Sequence, residues 1–492
     1  LLDIWKMHKA QVIRTFCSLA RSITRQNKSW KKSSIYSVTT GKLRKHHLSR
    51  YTGSTIMPQK AEFRFSDYDC VGFDLDNTVC HYNLTNMVKL EYNVLANYLI
   101  KEKGYSPLLL SKPLEQNVDF LQKGLVMDFE RGNILRLGPG GYIQKASHGT
   151  QFMSDEQIVE VYGNSRSWDI ATQFSEDMLV AWNGPLSERL RTLLDYFDMP
   201  SSLIFGKIVD TIDMTGGPKQ PYKFWPDVLE GLINMYCRDH FAQDKGGYFP
   251  AIKRAPDQYI RKTSPQVISW LKRLKEEKTT FLITGSNADF ANFTASYSLG
   301  SDWYELFDHI IFFARKPGFF TGSRPFLGVK NFAETTQLDS NSLEVGKFYS
   351  QGNWKGLMEI LTKSSGNISP KVLYIGDNLI QDIYTPSTYV SCDTVAISEE
   401  MLAEGMMNCP KNHEDCELLV SSTWGSYFGN VSKEILYPTF WSEVIRKHAK
   451  ICIPNLHHIA DKPLDTVYTS FDEADLLEGF FPAKPKSMSV GL

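Results

Sequence analysis

Nowhere in this 492-residue sequence does an apolar run approach the roughly 20 residues that a membrane-spanning helix requires. The longer runs, such as Ile310 to Ala314, have the length of a strand. Internal repeats are missing, which argues against a solenoid or propeller. An excess of either charge is also missing, with 54 Lys or Arg against 55 Asp or Glu. That balance hides one local scarcity, because residues 1–57 hold twelve Lys or Arg and a single acid, Asp3. The rest of the chain keeps 42 bases against 54 acids. An acidic body disfavours nucleic-acid binding. The eight cysteines are scattered rather than paired, and Cys70 and Cys80 fall in or beside a buried strand pattern. This is reduced, intracellular usage. A cytoplasmic location is the expectation, and a mitochondrial one if residues 1–57, which have transit-peptide composition, are a targeting segment. The competing reading makes them an upstream extension before a start at Met57.

What is present is ordinary globular composition, 42% apolar and 22% charged, in a chain too long for one core. Four short apolar runs each lead to a polar residue. Cys70-Val71-Gly72-Phe73 leads to Asp74, and Thr280-Phe281-Leu282-Ile283 to Thr284. Ile310-Ile311-Phe312-Phe313 precedes Lys316, and Val372-Leu373-Tyr374-Ile375 delivers Gly376-Asp377. Near-continuous apolar strands imply a sheet covered on both faces. Helical patterns separate the later ones, and Ser264-Pro265 is a helix start, with Val267, Leu271 and Leu274 on one face. The fold expected is α/β, a doubly wound, Rossmann-like parallel sheet with its site at the carboxyl ends of the strands. The stretch from Thr78 to Ser264 is too long for a crossover and predicts an inserted α+β cap. That cap begins with a small antiparallel meander around Arg131-Gly132-Asn133 and Gly138-Pro139-Gly140-Gly141. Val228, Leu229, Leu232, Ile233 and Tyr236 predict an amphipathic helix within it. The divisions read from this pattern are an extension over 1–57, a core over 58–82 and 256–400, a cap over 83–255 and a C-terminal extension over 401–492. Periodicity weakens after about residue 400, and the end from Pro482 reads as a loose tail.

Asp74-Leu75-Asp76-Asn77-Thr78 sets two carboxylates two residues apart where a strand ends, so both can reach one ligand. Phosphoryl transfer through an aspartyl-phosphate needs one carboxylate as nucleophile and an acid to protonate the leaving oxygen, roles that Asp74 and Asp76 fit. Two carboxylates facing a phosphate dianion require a hard cation, and magnesium suits them. Asp377 supplies a further oxygen ligand, and Asp382, in Gly376-Asp377-Asn378-Leu379-Ile380-Gln381-Asp382, ligates or orients from the same loop. Thr284 and the amides after it can hold phosphate oxygens at a helix start. Lys316 adds positive charge for the transferring group and for Asp74. Each piece alone is also a common strand-end turn or surface group; the order of all four after apolar strands is what is specific.

These four elements resemble the motifs of the haloacid dehalogenase superfamily in their family order, with the acid two residues after the nucleophile that marks its phosphatases. Gly124-Leu125-Val126-Met127-Asp128, Gly132-Asn133, Ala146-Ser147-His148-Gly149 and Ala314-Arg315-Lys316-Pro317-Gly318-Phe319-Phe320 further resemble the cytosolic purine 5'-nucleotidase group. The resemblance runs from about Met57 to near Pro482. It implies a capped Rossmann-like core and hydrolysis of nucleoside 5'-monophosphates with magnesium, Asp74 as nucleophile and Asp76 as acid/base binding the metal through its backbone carbonyl. Gly285 departs from it, standing where the purine nucleotidases usually have Asn.

Other groups compete less well. Cys409, His413 and Cys416, with Cys452 and His457 or His458, could bind zinc, but their spacing is not a common paired pattern and loop thiols are the simpler reading. His148 could approach a substrate or be a hydrogen-bonded structural histidine. The partner expected is a small phosphate ester, a nucleoside monophosphate above others, and neither nucleic acid nor membrane. A phosphatase of another small or protein phosphoester, and a binding or regulatory protein that keeps the pocket, are the alternatives.

Overall fold

The computed structural model describes residues 61–489 apart from 183, 218–220, 339–341, 410, 412, 433–434 and 473–477. The basic extension over 1–57 lies outside the described residues. The architecture is mixed α/β around a nine-stranded, mostly parallel sheet. Its strands are β1 (Cys70–Phe73), β2 (Thr279–Ile283), β3 (His309–Phe312), β4 (Phe326–Lys330), β5 (Ala333–Leu338), β6 (Phe348–Gln351), β7 (Val372–Gly376), β8 (Asp393–Ile397) and β9 (Ile451–Ile453). They lie in the order β5-β4-β6-β3-β2-β1-β7-β8-β9. Every pairing from β6 to β9 is parallel, and β4 pairs antiparallel with β5 and β6 at one edge.

The apolar strands divide their side chains by alternation. Val71, Phe73, Leu282, Leu373 and Ile375 join Val267, Trp270 and Leu271 of helix Pro265–Glu277 in one buried cluster. Cys70, Phe281, Ile283, Val372 and Tyr374 join Leu357, Ile360 and Leu361 of helix Trp354–Ser365 in another. Both faces are thus covered, which is why these strands are apolar at every position. Ser264 caps the first of these helices, accepting from the Val267 amide at 3.4 Å, with Pro265 in its first turn. At Gly72 the Phe281 ring lies so close that an added Cβ would meet it at 2.1 Å.

Between β1 and β2 the chain builds a second, antiparallel sheet of five strands, in the order Gln151–Phe152, Ile143–His148, Asn133–Leu137, Val126–Asp128, Leu190–Thr192. The predicted meander is its centre. Three helices, Leu84–Glu102, Pro200–Met214 and Trp225–Met235, pack beside it through Leu95, Leu99, Leu203, Ile204, Val228 and Leu232. The last of these helices departs from its predicted stripe, because Ile233 is exposed and Trp225, Gly231 and Met235 are buried.

The end of the chain is not a loose tail as far as residue 489. Lys486 donates its amide to the Gly405 carbonyl at 3.0 Å, and Met488 is fully buried. Earlier, β9 extends the central sheet, and the indoles of Trp424 and Trp441 donate to the Phe120 and Gly124 carbonyls, both at 2.7 Å. Gln59–Leu492 forms one compact unit. Among the described residues no helix is long and apolar enough to cross a membrane.

Candidate active site

The site lies where β1, central among the seven parallel strands, ends between β2 and β7. The Asp74 amide still bonds the Ile375 carbonyl at 2.8 Å, so the ladder fixes this residue beside Gly376-Asp377. The chain then turns sharply. Amides of Thr78, Val79 and Cys80 all point to the Leu75 carbonyl at 3.4, 3.0 and 2.8 Å, and Asn77 adopts φ 55°, a left-handed conformation that Asn tolerates. This turn aims Asp76 at the end of β2. Its Oδ1 accepts from the Tyr82 hydroxyl at 2.5 Å, and its Oδ2 from Ser286 Oγ at 2.7 Å and more weakly from Thr284 Oγ1 at 3.4 Å.

Lys316 reaches the site from the loop after β3, where Phe313 and Arg315 both hold positive φ, 45° and 53°. Two left-handed non-glycine residues so close together store about 1–3 kcal/mol each, sustained by the packing around them. The buried ammonium donates to Asp74 Oδ1 at 2.7 Å, Asp382 Oδ1 at 2.6 Å and the Tyr374 hydroxyl at 3.2 Å. Asp382 turns back onto β7 because position 376 is glycine; a Cβ there would meet the Asp382 side chain at 2.4–2.6 Å. Its Oδ2 accepts from the Asn378 amide at 3.1 Å.

Asp74, Asp377 and Asp382 each place an oxygen within 4.8 Å of the others'. Lys316 pairs with only two of these three buried carboxylates, Asp74 and Asp382. The deficit of positive charge appears in the acid constants. Burial, then Asp195 and the other carboxylates of the group, pushes Asp377 well up despite Lys123. Burial pushes Asp382 up to about 7 even against Lys316. Burial and then Asp74 raise Asp76. Lys316 is held well above its ordinary value, burial being outweighed by Asp382 and Asp74. Oδ2 of Asp377 is buried with no hydrogen-bond partner. An oxygen-only donor set with an orphaned carboxylate oxygen fits a hard divalent cation such as magnesium.

A cavity of about 600 Å³ opens over this group. Asp74, Asp76, Lys316, Asp382, Asn378 and the Gly285-Ser286-Asn287 turn form its floor, and the insertion between β1 and β2 forms its roof. The roof is largely aromatic, with Phe197, Tyr236, Phe241, Tyr248 and Phe249, joined by Arg191 and Arg238. Asp195 and Asp198 also face the cavity. Burial first, then Asp198, raises Asp195 to about 7, and burial raises Asp198 to about 6 against Arg191.

The structure therefore gathers Asp74, Asp76, Thr284, Lys316, Asp377 and Asp382 at one set of strand ends. One placement, that of Thr284, differs from expectation, and two others become more definite. Asp382 stands in the carboxylate group itself rather than behind it, while the Asp76 carboxylate is occupied by Tyr82 and Ser286. Thr284 is fully buried and does not line the cavity; its hydroxyl accepts from the Ser286 amide at 3.0 Å and so shapes the turn, leaving Gly285, Ser286 and Asn287 to face a ligand. Sequence reasoning missed Tyr82, Ser286, Tyr374 and Asp195. Ser286 was findable, since a hydroxyl two residues past Thr284 at a helix start is a natural anion donor; Asp195 carried no local signal.

The remaining candidates resolve as structural groups. His148 bonds Asn133 and Asp213 through its two ring nitrogens, each at 2.8 Å. His413 Nε2 lies 2.9 Å from Glu399, Cys416 Sγ points to the Ala403 carbonyl, and Cys452 Sγ lies against Met401. Among the described residues the single cluster suited to a metal is Asp74, Asp377 and Asp382.

A model described as the 5' nucleotidase family matches residues 60–421. The chain is 35% identical over 454 residues to 5'-nucleotidase domain-containing protein 1 of Homo sapiens, covering 87% of this chain and 97% of that protein. Against the Bos taurus protein of the same name, identity is also 35%, over 456 residues with the same coverage. Against 5'-nucleotidase domain-containing protein 2 of Rattus norvegicus it is 25% over 325 residues, 65% of this chain and 55% of that protein.

Proposed function

The chain belongs to the 5' nucleotidase family and is thus a phosphoric monoester hydrolase, and we propose that it cleaves nucleoside 5'-monophosphates through a phosphoryl group carried on Asp74, with magnesium bound by Asp74, Asp377 and Asp382. The observation that carries this reading is the approach of those three carboxylates to within 4.8 Å, two of them, Asp74 and Asp382, paired with Lys316 and lining the cavity. We read the whole as a haloacid-dehalogenase-like core, residues 58–82 and 256–400, with residues 83–255 as a cap and 401–492 as a C-terminal extension.

In this mechanism Lys316 holds Asp74 Oδ1, and Oδ2 attacks phosphorus. The bond from phosphorus to the ester oxygen breaks, and Asp76 gives that oxygen a proton. The raised acid constant of Asp76 favours its proton-bearing form, and the Tyr82 and Ser286 hydroxyls fix its orientation. Asp76 then takes a proton from the water that attacks the phosphoryl-aspartate, releasing phosphate and restoring Asp74. Bound magnesium would supply positive charge to the transferring phosphoryl oxygens. Amides of Gly285 and Asn287 and the Lys316 ammonium complete the phosphate subsite.

The cavity's size suits a small ester rather than a protein segment, and its aromatic roof suits a planar base. The seven described cysteines are free thiols; we place the protein in the cytoplasm, or in the mitochondrion if residues 1–57 are a targeting segment. The test is phosphate release from a panel of nucleoside monophosphates, with magnesium and then with chelator, for the natural chain and Asp74→Asn. We expect Asp74→Asn to abolish turnover; equal phosphate release by that variant removes Asp74 as nucleophile, and release undiminished by chelator removes the metal.

A further inference from the structure

A second recess, of about 410 Å³, opens where the five-stranded sheet meets the hairpin Gly429–Ser432 and Ile435–Pro438. It shares no lining residue with the cavity over Asp74. Arg136, Tyr142, Gln144, Lys145, Asn430 and Tyr437 line it. Arg136 and Lys145 sit directly opposite each other on adjacent antiparallel strands. Like charges in that register destabilise a sheet.

Neither cation has an ion-paired acid to offset this. Arg136 is 9% exposed; its Nη2 donates to the Ser426 carbonyl at 2.5 Å, and its Nε is buried without a partner. Lys145 Nζ donates to the Thr423 carbonyl at 2.6 Å. The carboxylate that acts on Arg136, Glu404, already accepts from the Tyr427 amide and the Ser426 and Ser487 hydroxyls. No acid among the described residues forms an ion pair with Arg136 or Lys145. Burial lowers Arg136 to about 10 despite Glu404, and burial and then Arg136 lower Lys145. Around the rim, Tyr142 and Tyr437 are 44% and 49% exposed. Desolvated positive charge with spare donors is what an oxyanion compensates.

We propose that this recess is a second anion site, which takes a phosphate or polyphosphate group between Lys145 and Arg136 and lays any aromatic organic part against Tyr142 and Tyr437. It is independent of the reading of the catalytic cavity. The experiment is calorimetric titration of the full chain with inorganic pyrophosphate and, separately, a nucleoside diphosphate, in excess chelator, where the carboxylates around Asp74 repel anions.

One saturable site is expected. Lys145→Met should weaken it at least about tenfold, the effect of removing one charge-assisted contact. Its catalytic phosphate release and thermal midpoint should stay near those of the natural chain. Lys145→Arg, which keeps the charge, should restore binding. Tighter binding of the diphosphate ester, lost in Tyr142→Ala, would assign an organic ligand; equal binding of the two probes would assign an inorganic anion. No saturable uptake, or uptake that Lys145→Met leaves unchanged, overturns the proposal.

Discussion

Gly376→Ala adds one methyl group at a position that does not line the cavity, yet should disable the site. The added carbon would lie 2.4 Å from Asp382 Cβ, 2.5 Å from its Cγ and 2.6 Å from its Oδ2, where van der Waals contact needs about 3.4 Å or more. Asp382 must therefore retreat by about 1 Å. It is fully buried, and both its oxygens are engaged, with Lys316 and with the Asn378 amide. Overpacking of this kind costs about 1–3 kcal/mol. A displacement of about 1 Å in a catalytic constellation costs roughly a hundredfold in rate. We expect kcat for nucleoside monophosphate hydrolysis to fall by about that factor, magnesium affinity to weaken and the thermal midpoint to drop, while KM changes less. Gly285→Ala is the matched control for stability alone, because a Cβ at 285 meets no atom within 4 Å. Full kcat with an unchanged thermal midpoint in Gly376→Ala would refute the dependence of catalysis on the position of Asp382.

Magnesium should stabilise the natural chain in thermal unfolding by about 2.7 kcal/mol at a concentration a hundredfold above its Kd; Asp377→Ala, which removes the orphaned carboxylate, should lose most of that gain, and an equal gain in both proteins would place the cation elsewhere. Gly285→Asn should fold with stability within about 0.5 kcal/mol of the natural chain, since the space beside it is open; its kcat/KM should shift while the thermal midpoint does not, and a large loss of stability would contradict the open space. Glu399 is held below its ordinary range because His413 and His81 outweigh its burial, and His413 is raised because Glu399 outweighs its burial. The Glu399 share of stability is lost only as pH falls below the ordinary glutamate range, whereas the His413 share, full below about 6.5, is lost as pH rises through its raised value. His413→Gln should therefore cost about 1–3 kcal/mol near pH 5.5 and less near pH 9 in denaturant titrations. A cost independent of pH would show that the imidazolium is not what Glu399 binds.

The legible part of this molecule was the part whose constraints are local. Strands buried on both faces must be apolar at every position, so β1, β2, β3 and β7 stood out, and the polar residues just beyond these runs gather at the site. The same locality explains the errors. Thr284 was read as reaching a ligand because it follows a strand, but its hydroxyl is turned onto the Ser286 amide, and the groups that orient Asp76, Tyr82 and Ser286, come from the turn after β1 and the start of the next helix. Asp195 enters the cavity from the far side of an inserted sheet, so no window of sequence could pair it with Asp377. β9 is three residues long, too short for a period to register, yet it extends the sheet beside β8. Arg136 and Lys145 read as ordinary charges on a meander, since only their pairing across two strands makes them neighbours. Like charges facing each other across two strands lower stability, and the fold tolerates that cost where an anion can offset it, which is why the recess beside Tyr142 and the carboxylates beside Lys316 are two forms of one signal: charge left unbalanced by the chain itself.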